Sequence, residues 1–196
     1  IHPRDWDKII NDKNYLIIDT RNNYEVSIGT FKNSFNPNMR SFRDFPKYIK
    51  DINMNKKQPI AMFCTGGIRC EKASSFLINN GFKNVSQLDG GVLNYLEYKK
   101  NKKINTWIGE CFVFDNRVSV DKNLNKGNHD QCYGCRHPIT ENDKKLNSYI
   151  KGASCKYCIK EKTKEKLDSS LIRQEQIDLA EKRKKAHSFQ KIFSLK

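Results

Sequence analysis

The stretch Pro59-Ile60-Ala61-Met62-Phe63-Cys64-Thr65-Gly66-Gly67-Ile68-Arg69-Cys70, followed by Ala73, Phe76 and Leu77 at helical spacing, decides the fold. An apolar run of strand length gives way to a glycine-rich loop and then to a helix. A thiol at the mouth of such a loop faces backbone N–H groups and the positive end of a helix, and both favour an anion on sulfur. Cys64 is therefore the candidate nucleophile, with Thr65, Gly66, Gly67 and Ile68 as an anion-binding loop and Arg69 as the cation that closes it. Four residues separate Cys64 from Arg69, fewer than in the usual cysteine-based phosphate loops, so the smaller cradle suits a sulfur-sized group better than phosphate. The competing reading is a buried cysteine that merely ends a strand, since free cysteine is among the most buried residue types.

Outward from this loop, strands and helices alternate. Residues 1 to 14 read as a short helix with Trp6, Ile9 and Ile10 on its apolar face. Tyr15-Leu16-Ile17-Ile18 does not alternate in polarity, as expected of a strand covered on both faces. It ends in Asp19-Thr20-Arg21, where Asp19 and Arg21 can support the loop as a buried ion pair. A helical turn is expected over Tyr24 to Ile28, closed by Gly29, then a short strand or loop from Phe31 to Pro37. After the central helix, which Gly81 stops, come a strand over Asn84 to Leu88, a turn at Asp89-Gly90-Gly91, and a helix through Val92, Leu93, Leu96 and Tyr98. This order predicts a parallel α/β sheet flanked by helices, bounded by the polar run Lys99 to Lys103, so the first domain is assigned to residues 1–105.

Cys132-Tyr133-Gly134-Cys135 and Cys155-Lys156-Tyr157-Cys158 form C-x2-C, nineteen residues, then C-x2-C. Two such knuckles can close a tetrahedral thiolate shell around structural Zn²⁺; an iron–sulfur cluster would use the same sulfurs. His129 and His137 are nearby substitutes as ligands. The second assigned segment, residues 106–158, is an extension carrying this knuckle module; its part from Asn105 to Asp130, with few periodic apolar residues beyond Trp107, Ile108, Phe112, Val113 and Phe114, is expected to drape over the first domain. Residues 159–196 form a charged helical tail whose thin apolar stripe is Leu167, Leu171, Ile172 and Leu179.

At 196 residues the chain can bury one ordinary core plus something smaller. It begins at Ile1 rather than methionine, so a preceding segment is expected. No run reaches the roughly eighteen apolar residues that span a bilayer, and seven cysteines, an odd number, argue against a secreted disulfide framework. A cytoplasmic location without membrane attachment is the simplest expectation. The net charge of +15 suits a polyanionic partner. With 28 Lys, 9 Arg and 21 Asn, however, it also reads as a compositional bias. Arg40 and Arg43 interleave with Phe42, Phe45 and Tyr48, a mixture that can grip phosphate and stack on bases, although the two Phe side chains fit a core better. Lys182-Arg183-Lys184-Lys185 is either an RNA contact or a plain solvated face.

Ile18-Asp19-Thr20-Arg21 with Glu25, Gly29 and Pro37, the Cys64–Arg69 loop, and Leu88-Asp89-Gly90-Gly91-Val92 with Tyr95 resemble the rhodanese domain over residues 1 to 105. Asp19 to Glu25, Asn36-Pro37-Asn38 leading to Phe42-Arg43-Asp44-Phe45-Pro46, Cys64 to Lys72, and Phe112-Val113-Phe114-Asp115 with Arg117 and Val118 further resemble the rhodanese-type tRNA uridine hydroxylases. That resemblance extends through the cysteine-rich tail and implies an amino-terminal ferredoxin-like domain that this chain does not contain. It implies hydroxylation at carbon five of the wobble uridine (position 34), with molecular oxygen as co-substrate, Cys64 as the reactive cysteine, and tRNA rather than DNA as partner. On this reading Arg69 stabilises the thiolate or orients a tRNA phosphate, Cys70 acts as a resolving thiol or only packs, and Arg117 joins the candidate RNA contacts. A rhodanese-type sulfurtransferase using a Cys64 persulfide, and a noncatalytic RNA or protein adaptor, are the rival readings. No oligomeric state is expected from the sequence.

Overall fold

A computed structural model describes residues 1–51, 55–102 and 105–183. The chain divides into two compact units, Ile1–Asn128 and His129–Lys196.

In the first unit, strands β1 (Leu16–Asp19), β3 (Ile60–Phe63) and β4 (Val85–Gln87) form a parallel sheet in the order β1-β3-β4. Phe35 adds a single parallel bridge on the outer side of β1. Side chains alternate across a strand, and here the alternation sorts two cores. Ile17, Ala61 and Phe63 face one side, packed with Trp6 and Ile10 of α1 (Pro3–Asn11) and with Val92, Tyr95 and Leu96 of α5 (Gly91–Lys99). Ile18, Ile60, Met62 and Cys64 face the other, packed with Phe45 and Ile49 of α3 (Phe45–Asp51) and with Cys70, Ala73 and Leu77 of α4 (Ile68–Asn79). Phe45 is thus core and Phe42 half-buried, while Arg40 and Arg43 are exposed. The short α2 (Asn23–Val26) follows β1, and β2 (Gly29–Phe31) pairs antiparallel with β5 (Trp107–Gly109).

Residues 106 to 128, assigned from sequence to the knuckle extension, belong spatially to this first unit. Trp107, Cys111, Val113 and Val120 enter its core, and the Thr106 amide donates to the buried Tyr95 hydroxyl at 3.0 Å. Strands β6 (Cys111–Phe112) and β7 (Ser119–Val120) form a small hairpin.

The second unit is built on the knuckles. Strands β8 (Asp130–Gln131) and β9 (Pro138–Ile139) pair around Cys132 and Cys135. After α6 (Glu141–Lys144) a tight turn carries Cys155 and Cys158, and α7 (Lys164–Lys182) follows. Arg173 of α7 donates to the Gly152 carbonyl at 2.8 Å, and Lys151 pairs with Asp178 at 2.9 Å. The expected apolar stripe of this helix is weak: Ile172 is 61% exposed, and α7 has no fully buried residue among those described. No described helix is long and apolar enough to cross a membrane.

Asp19 and Arg21, at the carboxyl end of β1, are wholly buried. Arg21 donates from Nε to Asp19 Oδ1 at 2.9 Å and from Nη2 to Asp19 Oδ2 at 2.6 Å, and it also reaches the Gly29 carbonyl at 2.7 Å. Its guanidinium lies 5.0 Å from the Trp107 ring centroid. Burial alone would weaken its hold on the proton, but the facing Asp19 carboxylate outweighs that and raises its pKa. Removing one partner would leave an uncompensated buried charge. Asp19→Ala is therefore expected to destabilise the first unit by about 3–5 kcal/mol in urea denaturation.

Candidate active site

Cys64 follows β3 directly and inherits the face of Ile60 and Met62. The loop that follows is held from both sides. Its Cys64 and Thr65 carbonyls accept from the Val92 and Leu93 amides of α5 at 2.9 and 3.1 Å. This approach requires glycine at position 91, which has φ +66° and where a Cβ would run into the Cys64 carbonyl and the Gly67 nitrogen. Gly67, at φ +92°, caps α4 and turns its own N–H to the Cys64 sulfur at 3.1 Å.

The sulfur sits in a field that favours charge. Its pKa falls to about 5, chiefly through the hydrogen bond from the Cys70 thiol. Burial opposes this, while the Arg69 and Cys70 amides and the Arg69 charge reinforce it. Cys70, fully buried on the first turn of α4, shows the reciprocal effect. Its proton is held by Cys64 and by burial, so its pKa rises well above that of an ordinary thiol. Thr20, whose hydroxyl donates to the Phe63 carbonyl at 2.9 Å, lies 3.5 Å from the Cys70 sulfur. Cys64 is thus the ionised member of the pair and Cys70 the protonated one. Cys111, also buried, is pushed up to about 12 by desolvation and stays inert at neutral pH.

Arg69 makes a forked ion pair with the fully buried Glu25, 2.7 Å at each nitrogen, and Thr65 donates to Glu25 Oε1 at 3.3 Å. Glu25 also accepts from the Asn22 amide at 3.1 Å, in the capping box of α2. The guanidinium is therefore held in place, and it acts on Cys64 through its field.

Cys64, Thr65, Gly66, Ile68 and Arg69 open onto a cavity of about 410 Å³. Its remaining walls are Leu93 of α5 and Val113, Phe114 and Asp115 of the loop between β6 and β7. The expected loop residues therefore meet at one place, with Gly67 and Cys70 behind them and Asp19 and Arg21 deeper in the sheet edge. Leu93, Glu25 and the 113–115 wall carry no site signal of their own in the sequence. The 113–115 wall appears there only inside a longer motif, and Glu25 becomes legible only once α2 is seen to face the loop. Arg117 lies on the same loop, forked onto Asp115 at 2.6 Å. Arg40 and Arg43 are exposed on the first unit and do not line the cavity; Lys182 and Arg183 are exposed on the second, at the end of α7. Lys184 and Lys185 lie outside the described residues.

The sulfurs of Cys132, Cys135, Cys155 and Cys158 all lie within 4.8 Å of one another. The Cys135–Cys155 and Cys155–Cys158 separations are 3.7 and 4.0 Å. A tetrahedral shell with metal–sulfur bonds of about 2.3 Å needs sulfurs about 3.8 Å apart. The cluster fits a metal ion, and Ile139 and Tyr149 pack around it. His137 sits beside it, with Nδ1 3.5 Å from the Cys135 sulfur and its ring stacked on Tyr157 at 4.6 Å. All seven cysteines are free of disulfides.

Residues 2–98 match the rhodanese-like domain family. The fold of this stretch is rhodanese-like. It is also 52% identical over 193 residues to the tRNA uridine(34) hydroxylase of Pelagibacter ubique (strain HTCC1062), an alignment covering 98% of the chain and 63% of that relative. The chain thus spans just under two thirds of the length of the curated relative it matches. Among solved structures, a rhodanese-related protein from Thermoplasma volcanium is 26% identical, with a TM-score of 0.43 over 50% of this chain and 90% of the other. The Alr3790 protein from Anabaena is 16% identical, with a TM-score of 0.46 over 56% and 91%.

Cys64 should react with a small haloacetamide with a midpoint near pH 5, the rate falling as the pH drops through that value, whereas an ordinary thiol shows its midpoint at about 8.5. Cys70→Ala removes the strongest hydrogen bond to the sulfur and is expected to move this midpoint upward, measured by mass-resolved alkylation across pH.

Proposed function

We propose that this chain is the rhodanese-bearing part of a tRNA-modifying enzyme that hydroxylates carbon five of the wobble uridine, position 34, with Cys64 as the reactive residue. The observation that carries the reading is the 52% identity running along 98% of the chain to a relative named for that reaction. The site adds chemical support: a thiolate, held by the Cys70 thiol and the Gly67 amide, faces a cavity large enough for a nucleoside. Molecular oxygen is the co-substrate. One oxygen atom enters the base and the other leaves as water, balanced by two electrons from a reductant. Addition of the Cys64 thiolate to carbon six of the uracil ring would make carbon five electron-rich and open to oxygen; once the carbon–oxygen bond is in place, loss of the carbon-five proton with cleavage of the carbon–sulfur bond expels the thiolate and restores the ring. Asp19 and Arg21 hold the sheet edge behind the loop, and Arg69, clamped by Glu25, steadies the thiolate. Arg40, Arg43, Arg117, Lys182 and Arg183 are the described cations offered to tRNA phosphates. The reaction belongs in the cytoplasm, where tRNA is found.

The rhodanese-like match over residues 2–98 favours one second reading, a sulfurtransferase that carries a persulfide on Cys64. Nucleoside analysis of tRNA from cells lacking the full-length protein separates the two. Loss of 5-hydroxyuridine, restored by the wild type but not by Cys64→Ser, is the expected result. Unchanged hydroxylation together with robust thiosulfate turnover would favour sulfur transfer.

Zn²⁺ bound by Cys132, Cys135, Cys155 and Cys158 is the structural metal we assign to the second unit. A module of this size lacks an adequate core of its own, so metal binding and folding are linked. Chelation is expected to raise hydrogen exchange across residues 130 to 160 and leave the β3 and α4 amides protected; equal protection in both regions with and without metal would contradict the assignment.

A further inference from the structure

The cavity in front of Cys64 is walled by apolar side chains. Ile68, Leu93, Val113 and Phe114 form most of its surface. The cation among its lining residues is Arg69, and both of its terminal nitrogens are committed to Glu25. An anion entering would meet the Cys64 thiolate and the Asp115 carboxylate with no free fork to receive it. The wall chemistry therefore suits a flat neutral group and does not suit phosphate.

Phe114 is the conspicuous side chain at this mouth. It is 61% exposed, and beside it Ile68 is 72% exposed, a costly display of apolar surface for residues with no ligand. The ring is also not loose. It lies edge-on to Phe112 at 5.2 Å, and Phe112 in turn lies edge-on to Tyr24 at 5.2 Å. The loop that carries it is tight: the Val113 amide donates to the Val118 carbonyl at 2.9 Å, and the Val118 amide to the Asp115 carbonyl at 3.1 Å. Val118 takes a left-handed φ of +65°, and Arg117 grips Asp115 from Nε and Nη2. An aromatic plane is thus presented in a fixed orientation beside the reactive sulfur, with its ordering cost met before any ligand arrives.

We propose that Phe114 is the stacking platform for a pyrimidine base that leaves its strand to enter the Cys64 cavity, with Ile68 and Leu93 as the apolar walls that receive it. The inference rests on the proposed function and adds how the base is captured. A base in a single-stranded loop pays little to unstack, and an aromatic ring at the mouth returns that stacking without demanding a particular flanking sequence. The phosphates stay outside the apolar cavity.

The test uses the full-length protein and an anticodon stem-loop RNA. Phe114→Ala is expected to raise KM by about tenfold or more while kcat stays within about twofold, and Phe114→Trp to keep a near-native KM. A fluorescent pyrimidine analogue at the target position should be quenched on binding the wild type and Phe114→Trp but not Phe114→Ala. The alkylation midpoint of Cys64 should be the same in all three proteins, which shows that the exposed ring is not needed for the fold of the loop. Turnover by the wild type with an equal KM for Phe114→Ala overturns this inference alone. Absence of hydroxylation by the wild type overturns the proposed function and this inference with it.

Discussion

The two hydrogen bonds from the Val92 and Leu93 amides to the Cys64 and Thr65 carbonyls are the constraint on which the first unit depends. They consume orphan donors at the start of α5 and turn the loop carbonyls away from the sulfur, so that the Gly67 amide is left to face it. The arrangement requires the two backbones to touch, and Gly91 is the position where they do. Because Cys64 continues the alternation of β3, the strand determines the side of the sheet on which the sulfur emerges, and the α5 contact determines what it meets there.

Two buried ion pairs stand behind this edge and do different things. Asp19 and Arg21 are both closed off from water; their fork, extended to Gly29 and Thr30, ties β1 to the first residues of β2. Glu25 and Arg69 sit nearer the surface, where the guanidinium is partly exposed and the carboxylate is not. The second pair links α2 to α4 and places a positive charge next to a thiolate, without offering that charge to a ligand. Such pairs add little net stability after desolvation, but each strongly penalises any arrangement that separates its members. Their effect is to specify one geometry for the loop.

The second unit reaches order by another route. Its described strands are two residues long, and its core is little more than the four cysteines with Ile139 and Tyr149. Sulfur spacing close to that of a tetrahedral shell would let a bound metal ion supply what hydrophobic burial cannot. The exposed flank of α7 fits how the helix is held: a hydrogen bond from Arg173 and an ion pair through Asp178 fix its edge without a deep apolar stripe.

Much of this was legible in the chain itself. The apolar runs at Leu16–Ile18 and Ile60–Phe63 announce strands covered on both faces, the paired glycines announce close backbone approach, and the C-x2-C repeats announce a four-sulfur cluster, because each is a local pattern with a local cause. The sites that only folding decided are those joined across the chain. The sequence leads one to expect that residues 106 to 128 drape over the first domain, but not that Trp107, Cys111 and Val113 complete its core. Phe114 becomes a wall of the Cys64 cavity because the β6–β7 hairpin happens to close over that loop. Glu25 reads as an ordinary helix-start acid until its contact with Arg69, 44 positions away, is seen. Local sequence therefore determined the strands, the loop chemistry and the four cysteines able to hold a metal ion, since backbone propensity and side-chain type act at short range. Tertiary structure alone decided what surrounds the sulfur, since the groups that shape its charge and its cavity are brought together only by packing.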